Sequence, residues 1–170
     1  YLLKSGKKEV GELTLALKNL IDSVKSCETC WDFSDRSPCQ ICADKTRDQS
    51  LICVVSEPQE LQAIEHTGHY AGVYHMLRGV LDASDEDSMR GLKIKELLQR
   101  IKLPAVREVI LAFSPDVHGE TTMLWLTKEL HRARPDISIS RLAKGLPSGS
   151  DLQYDDEVTL GSALKHRIQT

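Results

Sequence analysis

The sequence has few aromatic residues, no long apolar run and no excess of basic charge. Phe, Trp and Tyr together make up 5% of the chain. A stacking platform for bases, which needs several exposed rings, therefore has little to draw on. No stretch approaches the 18 or so consecutive apolar residues of a transmembrane helix. The N-terminus lacks the basic, apolar and small-residue order of a secretory signal. With 22 basic and 25 acidic residues the formal net charge is −3, so the global basic excess common in nucleic-acid-binding domains is missing. DNA binding through a local patch or an oligomeric ring stays open. Internal repeats and low-complexity tracts are absent too. What remains is ordinary globular composition, 41% hydrophobic and 28% charged over 170 residues, enough for one substantial domain with a small appendage. The opening residue is Tyr1, which reads as a start partway into a longer protein.

Cysteine is present in a pattern. Cys27, Cys30, Cys39 and Cys42 form C-x2-C-x8-C-x2-C, and Cys53 stands apart. Two disulfides would need an oxidising compartment, and nothing signals export. Four unrelated buried thiols would not explain the pairing. A tetrahedral zinc site does, because each C-x2-C knuckle points two sulfurs at one point. Four thiolates leave no position for water, so the site reads as structural, with one Zn2+ per chain. Residues 31–38 have little apolar content, so metal binding becomes part of the folding energy there. Trp31, beside Cys30, reads as a cover for the knuckle. Cys53 lies in the apolar run Leu51-Ile52-Cys53-Val54-Val55 and reads as a small buried hydrophobe.

Val10, Leu13, Leu17, Leu20, Ile21 and Val24 recur at helical spacing, with Gly6 and Gly11 setting a main helix over about 12–25. From Leu51 the pattern alternates. Strands are expected at 51–55, 72–77, 106–113 and 137–142. Helices are expected at 58–66, 94–101, 119–133 and 158–167, with an acidic loop over 82–90 that holds Asp82, Asp85, Glu86 and Asp87. Such alternation implies parallel β-α-β units. Trp125 falls on the helix after the third strand and reads as core. The expected architecture is α/β, an open parallel sheet flanked by helices and preceded by a helix and a small four-cysteine zinc finger. Its parts are a helical region (1–26), the zinc finger (27–47), the sheet domain (48–144) and a C-terminal segment (145–170). In open α/β sheets chemistry gathers at the carboxyl ends of strands, here Ser56–Pro58 and Phe113–Glu120.

The segment Ile110-Leu111-Ala112-Phe113-Ser114-Pro115-Asp116-Val117-His118-Gly119-Glu120 resembles the Toprim motif. That resemblance implies a glutamate after the first strand and D-x-D after a later one, carboxylates that hold Mg2+ for phosphoryl chemistry. Ser56 stands at the first position, with Glu57 one residue on, and Ser114 replaces the first aspartate. Asp116 and Glu120 remain. They read as metal ligands, as acids favouring a helix start, or as an acidic docking surface. A four-cysteine segment before an altered Toprim domain is similar to the RecR family of bacterial recombination mediators. Gly72-Val73-Tyr74-His75-Met76-Leu77-Arg78-Gly79, Ser140-Arg141-Leu142-Ala143-Lys144-Gly145-Leu146-Pro147 and Leu152-Gln153-Tyr154 carry the resemblance further. Tyr1-Leu2-Leu3-Lys4 resembles the tail of the family's N-terminal helix-hairpin-helix, most of which this sequence lacks.

The resemblance implies a non-enzymatic, DNA-binding mediator of the bacterial cytoplasm and nucleoid, a ring-like clamp built from dimers or tetramers. It would bind single- and double-stranded DNA without sequence preference. With RecO and RecF it would help load RecA onto single-stranded DNA, with no role at a membrane. Lys4, Lys7 and Lys8 are candidate DNA-lining residues, against a solvated-loop reading. Glu57, Asp116 and Glu120 are candidates for docking RecO, and Arg141 for a contact between protomers. The alternative is a Mg2+-dependent Toprim nuclease or related phosphoryl-transfer enzyme, against which Ser56 and Ser114 count.

Overall fold

A computed structural model describes residues 2–82, 84–85, 87–146, 149 and 151–167. Tyr1, Glu86, Pro147 and Ser148, named above, lie outside the described residues. The chain divides into two compact units, Tyr1–Ser140 and Arg141–Thr170.

The first unit opens with a 3-10 turn (Leu2–Lys4) followed by helix α1 (Lys7–Ser23). Two short strands follow, β1 (Lys25–Ser26) and β2 (Phe33–Ser34), paired antiparallel, and then a single turn of helix, α2 (Gln40–Ala43). The sheet domain runs β3 (Asp48–Val55), α3 (Pro58–His66), β4 (Gly72–Met76), α4 (Ile94–Arg100), β5 (Glu108–Leu111), α5 (Val117–Ala133) and β6 (Ser138–Arg141). Its four strands form a parallel sheet in the order β4-β3-β5-β6. Val54 sits opposite His75 on one side and Leu111 on the other. β3 is central and covered on both faces, which is why its sequence is a continuous apolar run. Ile52 and Val54 face one core with Val73, Leu97, Leu126 and Leu130. Cys53 and Val55 face the other with Leu61, Tyr74 and Met76. This is the two-residue period of a strand serving two layers. Trp125 packs, half-buried, against the first core.

Local chemistry sets the helix starts. Pro58 occupies the first turn of α3, where its missing N–H costs nothing. The Asp116 carboxylate caps α5 by accepting from Gly119 N at 2.7 Å. Gly119 itself is required, because a Cβ there would lie 2.0 Å from Ser114 O. Several boundaries differ from the sequence expectation, and three have a plain local cause. α1 begins at Lys7 and runs through Gly11, whose cost of about 1 kcal/mol is absorbed by good helix formers around it. β3 begins at Asp48, since Asp48 N bonds Ala71 O and extends the pairing. β5 is shorter than 106–113, because Val106 N turns back to Leu103 O. The second unit holds a 3-10 turn (Leu152–Tyr154) and helix α6 (Glu157–Lys165), capped by Asp156, which accepts from Val158 N and Thr159 N at 2.9 Å each.

His75, on β4, is a fully buried imidazole. Its Nε2 lies 2.8 Å from Lys93 O, and its Nδ1 has no partner. The ring is therefore the neutral Nε2–H tautomer, and burial pulls its pKa from 6.5 down to about 4. The unfolded chain takes up this proton below 6.5 while the folded chain refuses it until about 4. Stability present above pH 6.5 is thus lost as pH falls through that window, by up to about 3 kcal/mol. Denaturant titrations of His75→Leu should show a shallower loss of stability between pH 6.5 and 4 than the parent. An identical slope in the two proteins would disprove the assignment.

Candidate metal centre and acidic strand-end site

The four cysteines of the C-x2-C pairs converge. Cys27, Cys30 and Cys39 are buried, and Cys42 is half-buried on α2. Their sulfurs all lie within 4.8 Å of one another, with Cys30 and Cys39 Sγ at 3.6 Å. A tetrahedron with metal–sulfur arms of about 2.3 Å separates its sulfurs by about 3.8 Å, so the cluster fits Zn2+ with little adjustment. Backbone amides already point at it. Cys39 N donates to Cys27 Sγ at 3.3 Å, and Cys42 N donates to Cys39 Sγ at 3.5 Å. Without a metal the thiols compete for protons. The hydrogen bond to Cys39, then that to Cys42, pushes Cys30 up, while the bonds from Cys30 and Cys42 pull Cys39 down. A dication removes that conflict by accepting four thiolates. Cys53 is separate, buried in β3, its thiol pushed up to about 12 by burial, and chemically inert.

The centre is anchored to the sheet. Met76 N, on the edge strand β4, donates to Cys30 O at 2.7 Å. Arg78 donates from Nε to Trp31 O at 3.0 Å and from Nη2 to Ser26 Oγ at 2.6 Å, and its guanidinium lies 4.5 Å from the Phe33 ring centre. Lys93 Nζ sits 4.2 Å over the Trp31 ring. Trp31 is thus packed at the joint between the knuckle and the sheet domain. Sequence reading missed Arg78 and Lys93 as anchors, and no local signal marks them.

At the carboxyl ends of β3 and β5 the acids do not gather into one group. Among the described residues the four cysteines are the cluster that could hold a metal. Glu57 is exposed at the start of α3, and Asp116 is engaged in capping α5. Glu120 is half-buried in the first turn of α5, and His118 is exposed. The acid at the centre of the network is Glu60. Its carboxylate accepts from Ser56 N and Ser56 Oγ at 2.7 Å each and from Glu57 N at 3.2 Å. Ser114 Oγ, from the end of β5, reaches it at 3.5 Å. The two serines at the altered Toprim positions therefore meet on one carboxylate of α3. A Glu three residues into a Pro-led helix is a capping-box signal, and that signal could have found it.

The remaining sequence candidates are not among the residues of either centre. Lys4 is exposed in a 3-10 turn, and Lys7 and Lys8 are exposed at the start of α1, with Lys8 Nζ 4.0 Å from Glu12. Arg141 is exposed at the end of β6.

Comparison with known proteins places these features together. The sequence matches the family model of the RecR four-cysteine zinc finger domain over residues 24–44, the Toprim domain over 50–143, and the RecR C-terminal domain over 145–168. It is 43% identical to a recombination protein RecR of Bifidobacterium adolescentis, covering 98% of this chain and 82% of that protein. The RecR proteins of Anaeromyxobacter sp. strain Fw109-5 and Mycobacterium sp. strain KMS are 41% and 43% identical, each over 98% of this chain and over 83% and 84% of their own lengths. The chain belongs to the RecR family. Its zinc is a structural one, held in a four-cysteine finger, as the closed sulfur cluster requires.

Metal analysis of the purified chain should find one zinc per chain. Cys39→Ser should remove it and lower the melting temperature while leaving the α/β circular dichroism recognisable; a zinc-free parent with an unchanged variant would sink the structural role. Glu60→Gln should cost about 1–3 kcal/mol in chemical denaturation, as expected for hydrogen bonds to a charged acceptor. A stability equal to the parent's would show that the serine–glutamate network carries no weight.

Proposed function

We propose that this chain is a non-enzymatic mediator of DNA recombination and repair, a zinc-stabilised protomer of a ring-like clamp. The observation that carries the non-enzymatic part is the Glu60 carboxylate, already engaged by Ser56 and Ser114 where a metal-dependent enzyme would present free acids. Phosphoryl transfer of that kind needs open carboxylates to hold a divalent cation against the substrate. We divide the chain into a helical region (1–26), a zinc finger (27–47), a Toprim domain (48–144) and a C-terminal segment (145–170), with Cys27, Cys30, Cys39 and Cys42 as the zinc ligands.

Self-association is supported by apolar surface that the single chain leaves open. On α1 and its C-cap, Leu13, Leu17, Leu20, Ile21 and Val24 are all exposed, Ile21 by 78%. α1 buries no residue at all. In the C-terminal unit Tyr154, Val158 and Leu164 are exposed, and none of its described residues is buried. Dimers or tetramers closed through these two regions, with Arg141 at a contact, would cover both. A closed ring holds DNA topologically, so a net charge of −3 is no obstacle. A modest basic lining is enough, and Lys4, Lys7 and Lys8 are exposed where one would be offered. Glu57 at the start of α3, with Asp116 and Glu120 at the start of α5, would offer acids to a basic partner, in the RecR setting RecO, with RecF and RecA loading following from that assembly in the bacterial nucleoid.

Sedimentation of the full-length chain with a labelled duplex bearing a single-stranded tail, in Mg2+, should give intact DNA moving with a multimer. Binding should weaken steeply with salt and not depend on sequence. A monomer that cuts the DNA, with cutting lost in Asp116→Asn and Glu120→Gln, would replace this reading by a Mg2+-dependent nuclease.

A further inference from the structure

A zinc ion with four thiolates has a formal charge of about −2. Here three of the four sulfurs belong to cysteines that are 0%, 1% and 6% exposed. A buried net charge is costly unless an opposite charge stands near it. The two amide donors to sulfur, Cys39 N and Cys42 N, are neutral dipoles and spread the charge without cancelling it. Of the cations within the finger (27–47), Arg36 and Lys45 are exposed, and Arg47 is half-buried and committed to Glu65 and Gly72 O.

The sheet domain brings three cations to the finger. Arg78 is committed to Trp31 O, Ser26 Oγ and the Phe33 ring. Lys93 lies over Trp31 with its Nζ 3.4 Å from Glu96. Arg100 is different. It stands on the last turn of α4, half-buried, and Nη1 donates to Tyr74 O on the edge strand that carries the finger. It shares a cavity of about 360 Å3 with Glu28, Thr29 and Trp31. Glu28 and Thr29 are the two residues between Cys27 and Cys30, so this cavity borders the first knuckle. Burial works against the guanidinium charge, while the sulfurs of Cys42, Cys30 and Cys27, and then Tyr70, favour it.

We propose that Arg100 is the counter-charge of the zinc centre, a positioning residue supplied by helix α4 that makes zinc affinity depend on the sheet domain. The proposal rests on the structural-zinc reading. Partners just outside a metal's ligands typically change its affinity by about 10–100-fold, and Arg100 belongs in that range. The competing account is that Arg100 merely satisfies the Tyr74 carbonyl. Glutamine keeps a donor for that carbonyl and removes the charge; lysine keeps the charge.

The test is a zinc competition titration against a chromophoric chelator at fixed pH, together with denaturation of each zinc-free protein. Arg100→Gln should bind zinc about 10–100-fold more weakly than the parent. Arg100→Lys should stay within a few-fold of it, and the zinc-free Gln variant and parent should unfold at similar denaturant concentrations. Adding Gln99→Lys, an exposed position lining the same cavity, should restore part of the affinity lost in Arg100→Gln. A Gln variant that is less stable without zinc yet binds zinc like the parent overturns the proposal. Should Arg100→Gln fail to fold, Gln99→Glu in the parent chain replaces it: severalfold weaker zinc binding supports the counter-charge, and unchanged binding overturns it. A parent that binds no zinc instead removes the structural-zinc reading itself, and this proposal with it.

Discussion

The edge of strand β4, with which no further strand of the sheet pairs, is the constraint around which the first unit is organised. A parallel sheet has two open edges, and each offers unpaired N–H and C=O groups to any passing strand. β6, at one edge, has four residues and alternates serine with larger residues. β4, at the other, reads Gly-Val-Tyr-His-Met and is buried along its whole length. Such a strand cannot face water. The zinc knuckle covers it, with Cys30 O accepting from Met76 N. The residues that make this joint also hold its strain. Trp31 and Arg78, the non-glycine residues with positive φ among those described, at 66° and 68°, bond directly to one another. Each such conformation costs of order 1–3 kcal/mol and persists only where its surroundings fix it. The metal supplies that rigidity on one side and the sheet on the other. Zinc therefore holds more than its own loop in place, because an unfolded knuckle would also uncover β4.

The second joint, at the carboxyl ends of β3 and β5, does by hydrogen bonding what a bound cation would do by charge. A serine follows each strand, Ser56 directly after β3 and Ser114 three residues beyond β5, and a single carboxylate from α3 gathers them. Ser56 is buried, so its hydroxyl and amide need an acceptor, and Glu60 gives one oxygen to both. An acid used this way is lost to metal binding unless its donors are released first. The same substitution that removes a ligand thus also consumes a neighbouring one. The site becomes a fixed corner of the fold.

Those features that depend on neighbours in sequence were legible in it. The cysteine spacing located the metal centre, and the apolar run of β3 located the buried strand. The α/β alternation gave the parallel sheet, and the helix over 58–66 coincided with α3. Features that depend on residues brought together from afar were not. Glu60 and Ser114 are 54 positions apart, and Arg78 reaches Ser26 across 52. No periodicity encodes such pairs. Arg100 reads locally as a basic residue near a helix C-terminus, a common and sufficient placement in itself. Its second setting, beside the knuckle, follows only from α4 packing near the edge strand. Gly11 misled in the opposite way. A glycine that interrupts a pattern on paper is carried by the helix when its neighbours are strong formers.

The distribution of apolar surface sets a limit on what a single chain can be. α1 is a helix of 17 residues with none buried, and isolated helices of that length are marginal in water. Its order therefore draws on a surface the lone chain does not supply. In the proposed clamp the exposed stripe from Leu13 to Val24 would be covered by a partner of matching character, and a second copy would offer an identical stripe. The C-terminal unit poses the same problem with even less to bury, since Leu152, Tyr154, Val158 and Leu164 are all more than 60% exposed. A segment of that size cannot build a core alone. In the proposed clamp, two separate apolar regions, α1 and the C-terminal unit, would serve the two different contacts that a closed ring needs and a simple two-fold dimer does not. One contact per protomer gives a pair; two different contacts let pairs close on themselves.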